Sequence, residues 1–299
     1  MKKITKLLEK DPYFGWILVA PILIWMMGTL LYPLFEAIIL GFKNVGYAGT
    51  EGHWVGLKNY LALFSNDIFI KSLWITLIWT VANVVLQIGI ALIGAKILNQ
   101  DFFGKNFIRN WIIIPWVLPS IVLATLGKWI LDPSLGIVNY ILKSIGLIHA
   151  PISFLSDINT ALPWVILLNV WRWFPFFLVM FLAALQTVPK ELYEATEIEQ
   201  ANAWQKFYYV ELPEIMPILK IQILLCALWA ANIFDTIWLL TRGGPSSTST
   251  TLPILIYLKA FQEYRISQAS TIAVVMFIIL LVGSFIYFRR SLNASWEEQ

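Results

Sequence analysis

Between Pro189 and Pro213 the chain carries Glu191, Glu194, Glu197 and Glu199, four closely spaced carboxylates in a sequence otherwise poor in charge. Carboxylates in pairs can do acid–base catalysis, but no base, thiol or nucleophile stands at useful spacing here, and His53 and His149 are isolated. What this pattern suits is recognition. Leu192, Ala195, Ile198 and Asn202 recur at helical spacing and form a narrow, weakly apolar stripe, with Trp204, Phe207 and Tyr208 adding bulk further along. Pro189 fits the first turn of a helix, where its missing N–H is not needed, and Glu191 and Glu194 fall where the helix dipole favours negative charge. Pro213 and Pro217 are expected to end the pattern. A polar helix of this kind is either a solvated surface element or a helix offered to a groove on a partner.

A second set of polar residues lies inside apolar runs. Arg172 sits in Trp171-Arg172-Trp173-Phe174-Pro175, and Asp235 follows Asn232 by three residues, a spacing that places both on one face if the helix is continuous. Charge in a bilayer core costs roughly 2.5–3.5 kcal/mol, so such residues either pair with one another or line a polar path. Asn169, Arg172, Trp173, Asn232 and Asp235 are the expected pathway residues; Asn83, Asn169 and Asn232 could bond a sugar hydroxyl, although bonding between helices is the commoner use of such residues. The 15 tryptophans can stack on sugar faces, but tryptophan also gathers at membrane interfaces. Neither this set nor the histidines suggests a metal site.

The elements that must position these residues are membrane helices. Hydrophobic residues make up 59% of the 299-residue chain and charged residues 13%, with a mean hydropathy of +0.73, far from the roughly one-quarter charged content of soluble domains. Six runs are long enough to span: Gly15–Phe42, Ile70–Leu98, Ile108–Ile130, Ala161–Leu185, Ile218–Thr241 and Ile266–Phe288. The expected fold is all-α and integral to the membrane, since hydrocarbon leaves no solvent for open strand edges. Lys2, Lys3, Lys6 and Lys10 precede an apolar run too long for a signal peptide, which predicts an uncleaved first span. Together with Lys96, Lys105, Arg109, Lys190, Arg289 and Arg290, they favour both termini in the cytoplasm, and the acidic insert with them. Cys226, the single cysteine, lies within a span and gives no disulfide framework. Leu135, Val138, Ile141, Leu142 and Ile145 predict a helix lying on the outer surface.

Glu194, Ala195, Glu199, Ala201, Phe207, Leu212, Pro213 and Pro217 also fall in register with the EAA loop of the membrane subunits of binding-protein-dependent ABC importers. The resemblance extends over nearly the whole chain. Pro21, Tyr32-Pro33, Val55-Gly56-Leu57-Lys58-Asn59-Tyr60, Pro115-Trp116, Pro119, Phe234-Asp235 and Leu240-Thr241-Arg242-Gly243-Gly244-Pro245 resemble the sugar permeases related to the larger membrane subunit of the maltose importer. Two positions depart from the pattern: Thr196 replaces the second Ala, and Gln200 stands where the family usually has Gly. Gln tolerates a left-handed backbone poorly, so the insert is expected to be more continuously helical than in the family.

The resemblance implies a division of labour. Glu194, Ala195, Glu197, Ile198, Glu199, Gln200 and Ala201 would engage an ATPase, moving as one rigid helix from Glu194 to Ala203. ATP and Mg would be bound by that partner, because the chain has no Gly-rich phosphate loop followed by Lys-Ser or Lys-Thr, and Gly243-Gly244-Pro245 reads as a turn. The implied partners are a second homologous permease, two ATPase subunits and an extracytoplasmic solute-binding protein, in a prokaryotic inner membrane; nucleic acid is not among them. The implied organisation is a permease domain over residues 15–290, with the coupling loop at 189–217 and cytoplasmic ends at 1–14 and 291–299. The chain would be a transport subunit rather than an enzyme, carrying a sugar or oligosaccharide. Glycerol phosphate, or an ion-coupled secondary transporter, are the alternatives; the latter predicts an internal inverted repeat, and none is visible.

Overall fold

The computed structural model describes residues 14–45 and 52–296. Lys2, Lys3, Lys6 and Lys10, with nearly all of the expected N-terminal segment and the last three residues of the tail, lie outside the described residues. The described residues are overwhelmingly helical, with one two-residue antiparallel pair, β1 (Lys43–Asn44) and β2 (His53–Trp54). Among the described residues five helical stretches are long and apolar enough to cross a membrane: Leu18–Gly41, Asp67–Asn99, Ala161–Leu185, Ala203–Asn232 and Ile266–Arg290. A sixth is formed if Lys105–Val117 and Ser120–Ile130, bent by 100°, count as one.

The first span is α1 (Phe14–Met26) and α2 (Tyr32–Gly41), joined by a π turn over Met27–Leu31. Pro33 lacks an N–H and its ring crowds the carbonyl four residues back; the wider turn absorbs this, with the Tyr32 N–H bonding to the Met27 carbonyl five residues earlier. The same device corrects an expectation further on. Pro213 and Pro217 end no helix: a π turn over Phe207–Glu211, closed by the Leu212 N–H on the Phe207 carbonyl, accommodates Pro213, and Pro217 lies inside the helix that follows. The fifth span therefore begins at Ala203, well before Ile218, running through α11 (Ala203–Lys206) and α12 (Leu212–Asn232).

That span also ends earlier than expected. Ile233 is extended (φ −64°, ψ 124°), and a separate helix, α13 (Asp235–Thr241), follows. The third span is likewise divided, into α5 (Lys105–Ile112), α6 (Ile114–Val117) and α7 (Ser120–Ile130). Leu118 is extended because it precedes Pro119, whose ring disfavours the helical region for its neighbour. The fourth span, α9 (Ala161–Leu185), matches its expected limits, while α4 (Asp67–Asn99) and α15 (Ile266–Trp296) enclose theirs. A helix is found where Leu135–Ile145 predicted one, as α8 (Ile137–Ser144). Gly243, at φ +85°, makes the turn after α13; the side chains of Ser249 and Thr250 donate to the carbonyls of Gly244 and Gly243.

The chain divides into two compact units. The first comprises the described residues up to Ser65 together with Ile256–Phe277. In it Asn59 donates through Nδ2 to the carbonyls of Gly41 and Lys43, each at 2.9 Å, and Ser267 Oγ accepts from the Val45 N–H at 2.7 Å. The second comprises Asn66–Leu255 with the stretch from Ile278 onward. Its core is the seam between α4 and α9, where Ala91, Ala95 and Leu98 meet Phe177, Leu178, Phe181 and Leu185. Ala91 and Ala95 are fully buried. Gly94 lets the two helices approach so closely that a Cβ there would lie 2.5 Å from Leu178 Cδ1. Without a hydrophobic drive between helices in lipid, such small residues are what permit dense packing.

Gly94→Val is therefore expected to destabilise the protein by about 1–3 kcal/mol. Gly89→Ala, at a helical glycine with no atom within 4 Å of the added Cβ, should cost nothing. Thermal unfolding of the detergent-purified protein measures both.

Candidate functional site

The acidic insert folds as two helices. Pro189 caps α10 (Lys190–Ile198), and Glu191 occupies its first turn. Leu192 and Tyr193 pack down on the α4–α9 core, leaving Glu194, Ala195, Glu197, Ile198, Glu199 and Gln200 exposed, with Ala201 half-buried. Ile198 is 84% exposed, an apolar side chain on an otherwise acidic knob. An exposed apolar residue ringed by carboxylates favours a partner with an apolar pocket and basic rim.

The single helix expected from Glu194 to Ala203 is not present. α10 stops at Ile198, and Gln200 adopts the left-handed conformation at φ +53°. The Ala201 N–H bonds to the Thr196 carbonyl (2.9 Å) and the Gln200 N–H to the Glu197 carbonyl (3.2 Å). This is the paired bonding of a Schellman turn, built with Gln where Gly is usual. The expectation that Gln200 would straighten the insert is therefore corrected: two backbone bonds hold the bend, at the steric cost of a left-handed non-glycine. Asn202, expected on the apolar stripe, is instead the N-cap of α11. Its Oδ1 accepts from Trp204 N–H and Gln205 N–H, while Gln205 Oε1 accepts from the Asn202 N–H. That reciprocal capping box is written in the sequence as Asn-Ala-Trp-Gln.

The second candidate site gathers around Asp235. Arg172 Nη1 lies 3.2 Å from Asp235 Oδ2 and 3.4 Å from Thr236 Oγ1, and the Ser120 hydroxyl donates to the same Asp235 oxygen. The ion pair joins α9 to α13, and Ser120 opens α7, so three elements converge on one carboxylate. Asp235 is the first residue of α13 and Ser120 the first of α7, which sets the negative charge at two helix N-termini. Asn232 does not share a face with Asp235. It closes α12 on the other side of the break, is exposed, and bonds back to the Leu228 carbonyl.

Asn169, expected in the pathway, is fully buried and donates to Asn83 Oδ1 at 2.6 Å. Gln87 Nε2 donates to the same oxygen at 2.8 Å, and Cys226 Sγ donates to Gln87 Oε1 at 3.3 Å. The result is a polar ladder from the fourth span through the second to the fifth. Trp173 stands beside Arg172, with the guanidinium 5.2 Å from its ring, and belongs to an aromatic cluster with Trp229 and Phe176. Its Nε1 and Arg172 Nε are buried without a hydrogen-bond partner. Sequence reasoning missed Ser120 and Thr236; the helix-start pattern Pro119-Ser120 after an apolar run is the signal that points to Ser120. Among the described residues no group of three or more His, Cys, Asp or Glu converges as a metal site would require.

Residues 87–295 match the family model described as binding-protein-dependent transport system inner membrane component. The chain is 33% identical over 280 residues to a "probable ABC transporter permease protein" of Brucella suis, covering 94% of this chain and 96% of that one. It is 30% identical over 288 residues to the multiple sugar-binding transport system permease protein MsmF of Streptococcus mutans, covering 96% and 98%. Its fold superposes with a TM-score of 0.83 on a chain of a bacterial alginate ABC transporter crystallised with an alginate pentasaccharide-bound periplasmic protein, at 21% identity and 97% coverage of both chains.

The Arg172 side chain is nearly buried while that of Asp235 is 46% exposed, so Asp235→Ala, which leaves the guanidinium without its carboxylate, should destabilise the protein by about 1–3 kcal/mol. The double variant Arg172→Met/Asp235→Leu should recover much of that loss, which thermal unfolding measures. Asn202→Ala should cost about 1 kcal/mol and Gln200→Gly should relieve a comparable strain, both read by hydrogen exchange across residues 196–206.

Proposed function

The chain belongs to the family of binding-protein-dependent transport system inner membrane components, and on that footing we propose that it forms half of the translocation pathway of an ATP-driven sugar or oligosaccharide importer. The other half is a second homologous permease. Two ATPase subunits dock on the cytoplasmic face, and an extracytoplasmic binding protein delivers the solute. Both termini lie in the cytoplasm, with the permease domain over 15–290 and the short ends at 1–14 and 291–299 flanking it. The sugar assignment is supported by the streptococcal relative, named for multiple sugars, and by the aromatic and polar cluster at Trp173, Arg172 and Asp235.

The observation that carries the reading is α10: an exposed acidic helix with Ala195 and Ile198 at its surface, anchored by Leu192 and Tyr193 and set off by a tight turn from the span that follows. An ATPase groove closing on this helix displaces it as a short rigid body. Because only four residues separate α10 from α11, which continues into the fifth span, the displacement reaches the intramembrane bundle. Packed helices occupy discrete arrangements rather than bending smoothly, so ATP binding biases the bundle between two openings. ATP and Mg are handled by the partner; this chain's residues receive force and shape the path. Arg172, Trp173, Asn232 and Asp235 are the pathway residues in this reading, with Asn169 holding the fourth span against the second.

Glu194→Lys and Ala195→Asp place the wrong charge or a charged group in the docking surface, and each should lower copurification of the ATPase and ATP-driven uptake at least about tenfold. Membrane insertion should be unchanged, since neither residue is buried. Pull-down of the assembled complex and uptake of a labelled glycan panel by proteoliposomes check this; unaltered uptake in both variants removes α10 from the mechanism.

A further inference from the structure

We propose that Lys96 is a positioning residue that fastens the coupling segment to the second span, so that movement of α10 is delivered to α4 as well as to α12. This rests on the importer reading above. Lys96 lies in the last turn of α4. Its ammonium donates to the Ala203 carbonyl at 3.0 Å, lies 3.2 Å from Glu211 Oε2 and sits 4.4 Å over the Phe207 ring. Ala203, Phe207 and Glu211 follow one another at intervals of four, so a single cation engages a whole stripe of the helix that leaves the coupling turn.

The neighbouring surface makes this bridge more than one contact among many. Beside it, a groove of about 470 Å³ separates Leu92, Ile93 and Ile97 of α4 from Trp204 and Phe207, and Lys96 reaches across its edge. Glu211 is only 6% exposed, in a region where a carboxylate without its cation would be costly. The stripe is tied in turn to α10. Lys206 Nζ lies 4.5 Å over the Tyr193 ring, and the Tyr193 hydroxyl, buried without a hydrogen-bond partner, is close enough to Glu211 to feel its charge. Burial first, and the Glu211 charge second, raise that hydroxyl's pKa, so it stays protonated beside the carboxylate. Tyr193 on α10 thus meets Lys206 and senses Glu211 on the segment that follows, and Glu211 in turn pairs with Lys96 on α4.

Adjacency alone does not establish coupling; an interaction energy between the two residues does. The intact complex in nanodiscs is assayed for MgATP hydrolysis without and with the solute-loaded binding protein, using Lys96→Met, Glu211→Gln, their combination, and the exchange Lys96→Glu/Glu211→Lys. The expected result is a loss of about fivefold or more in binding-protein stimulation for each single variant. ATPase copurification should be unchanged, the combination no worse than either single change, and the exchange should restore most of the response. Lys96→Arg, which keeps the charge, should retain the stimulation, and it tests the idea even if Lys96→Met fails to assemble. Single variants with full stimulation, or losses that simply multiply in the combination, overturn the proposal. A wild-type complex that holds its ATPases but ignores the binding protein overturns the importer reading itself, and this inference with it.

Discussion

Asp235 is the point on which the intramembrane architecture turns. Two spans are interrupted, at Leu118-Pro119 and at Ile233-Phe234, and each interruption frees backbone groups that hydrocarbon cannot solvate. Such breaks persist only where protein supplies the missing partners. Here the resumed helices, α7 and α13, begin at Ser120 and Asp235, and the carboxylate sits at both starts while holding the Arg172 guanidinium. One negative charge serves two helix dipoles and one cation, which offsets part of the cost of holding these groups within a membrane.

The rest of the second unit is organised to keep that point in place. Close approach at Gly94, with Ala91 and Ala95 on the same seam, brings α4 and α9 together, and the Asn169–Asn83–Gln87–Cys226 ladder adds the fifth span through directional bonds. Directional bonds matter in lipid because packing there lacks the hydrophobic preference that fixes a soluble core. The acidic insert is built differently. α10 is short and exposed, and a left-handed residue and a capping box separate it from the span. Rigid elements joined by a defined turn transmit displacement better than either a flexible loop or one long helix, which would frustrate independent docking.

Much of this was legible in the residues. The fourth span was readable to its last residue from continuous hydropathy, and the presence of a helix after Pro189, though not its end at Ile198, from its carboxylates and spacing. Other features were not. Asn169 and Asn232 carry the same side chain in similar apolar surroundings, yet one is sealed between helices and the other exposed at a helix end. Asn232 and Asp235 share a face only in an unbroken helix, and no glycine or proline stands at Ile233-Phe234 to announce the break. Gln200 misled in the opposite sense: its propensity argues against a bend that the bonds of Ala201 and Gln200 to the end of α10 impose.

By itself the sequence determined the membrane setting, the helical class, the places of the long apolar runs and the exposed acidic insert, because each follows from local composition and period. Hydrocarbon demands long apolar helices wherever they occur in the chain, and a carboxylate-rich stretch stays in water whatever its neighbours. Only the tertiary structure decided where the spans break, how prolines are absorbed by wider turns, and which polar groups find one another. Those outcomes depend on partners distant in sequence: Arg172 and Ser120 for Asp235, Asn83 for Asn169, and Lys96 for Glu211. A lone charge or amide states only that it needs a partner; the packing of the helices selects which one.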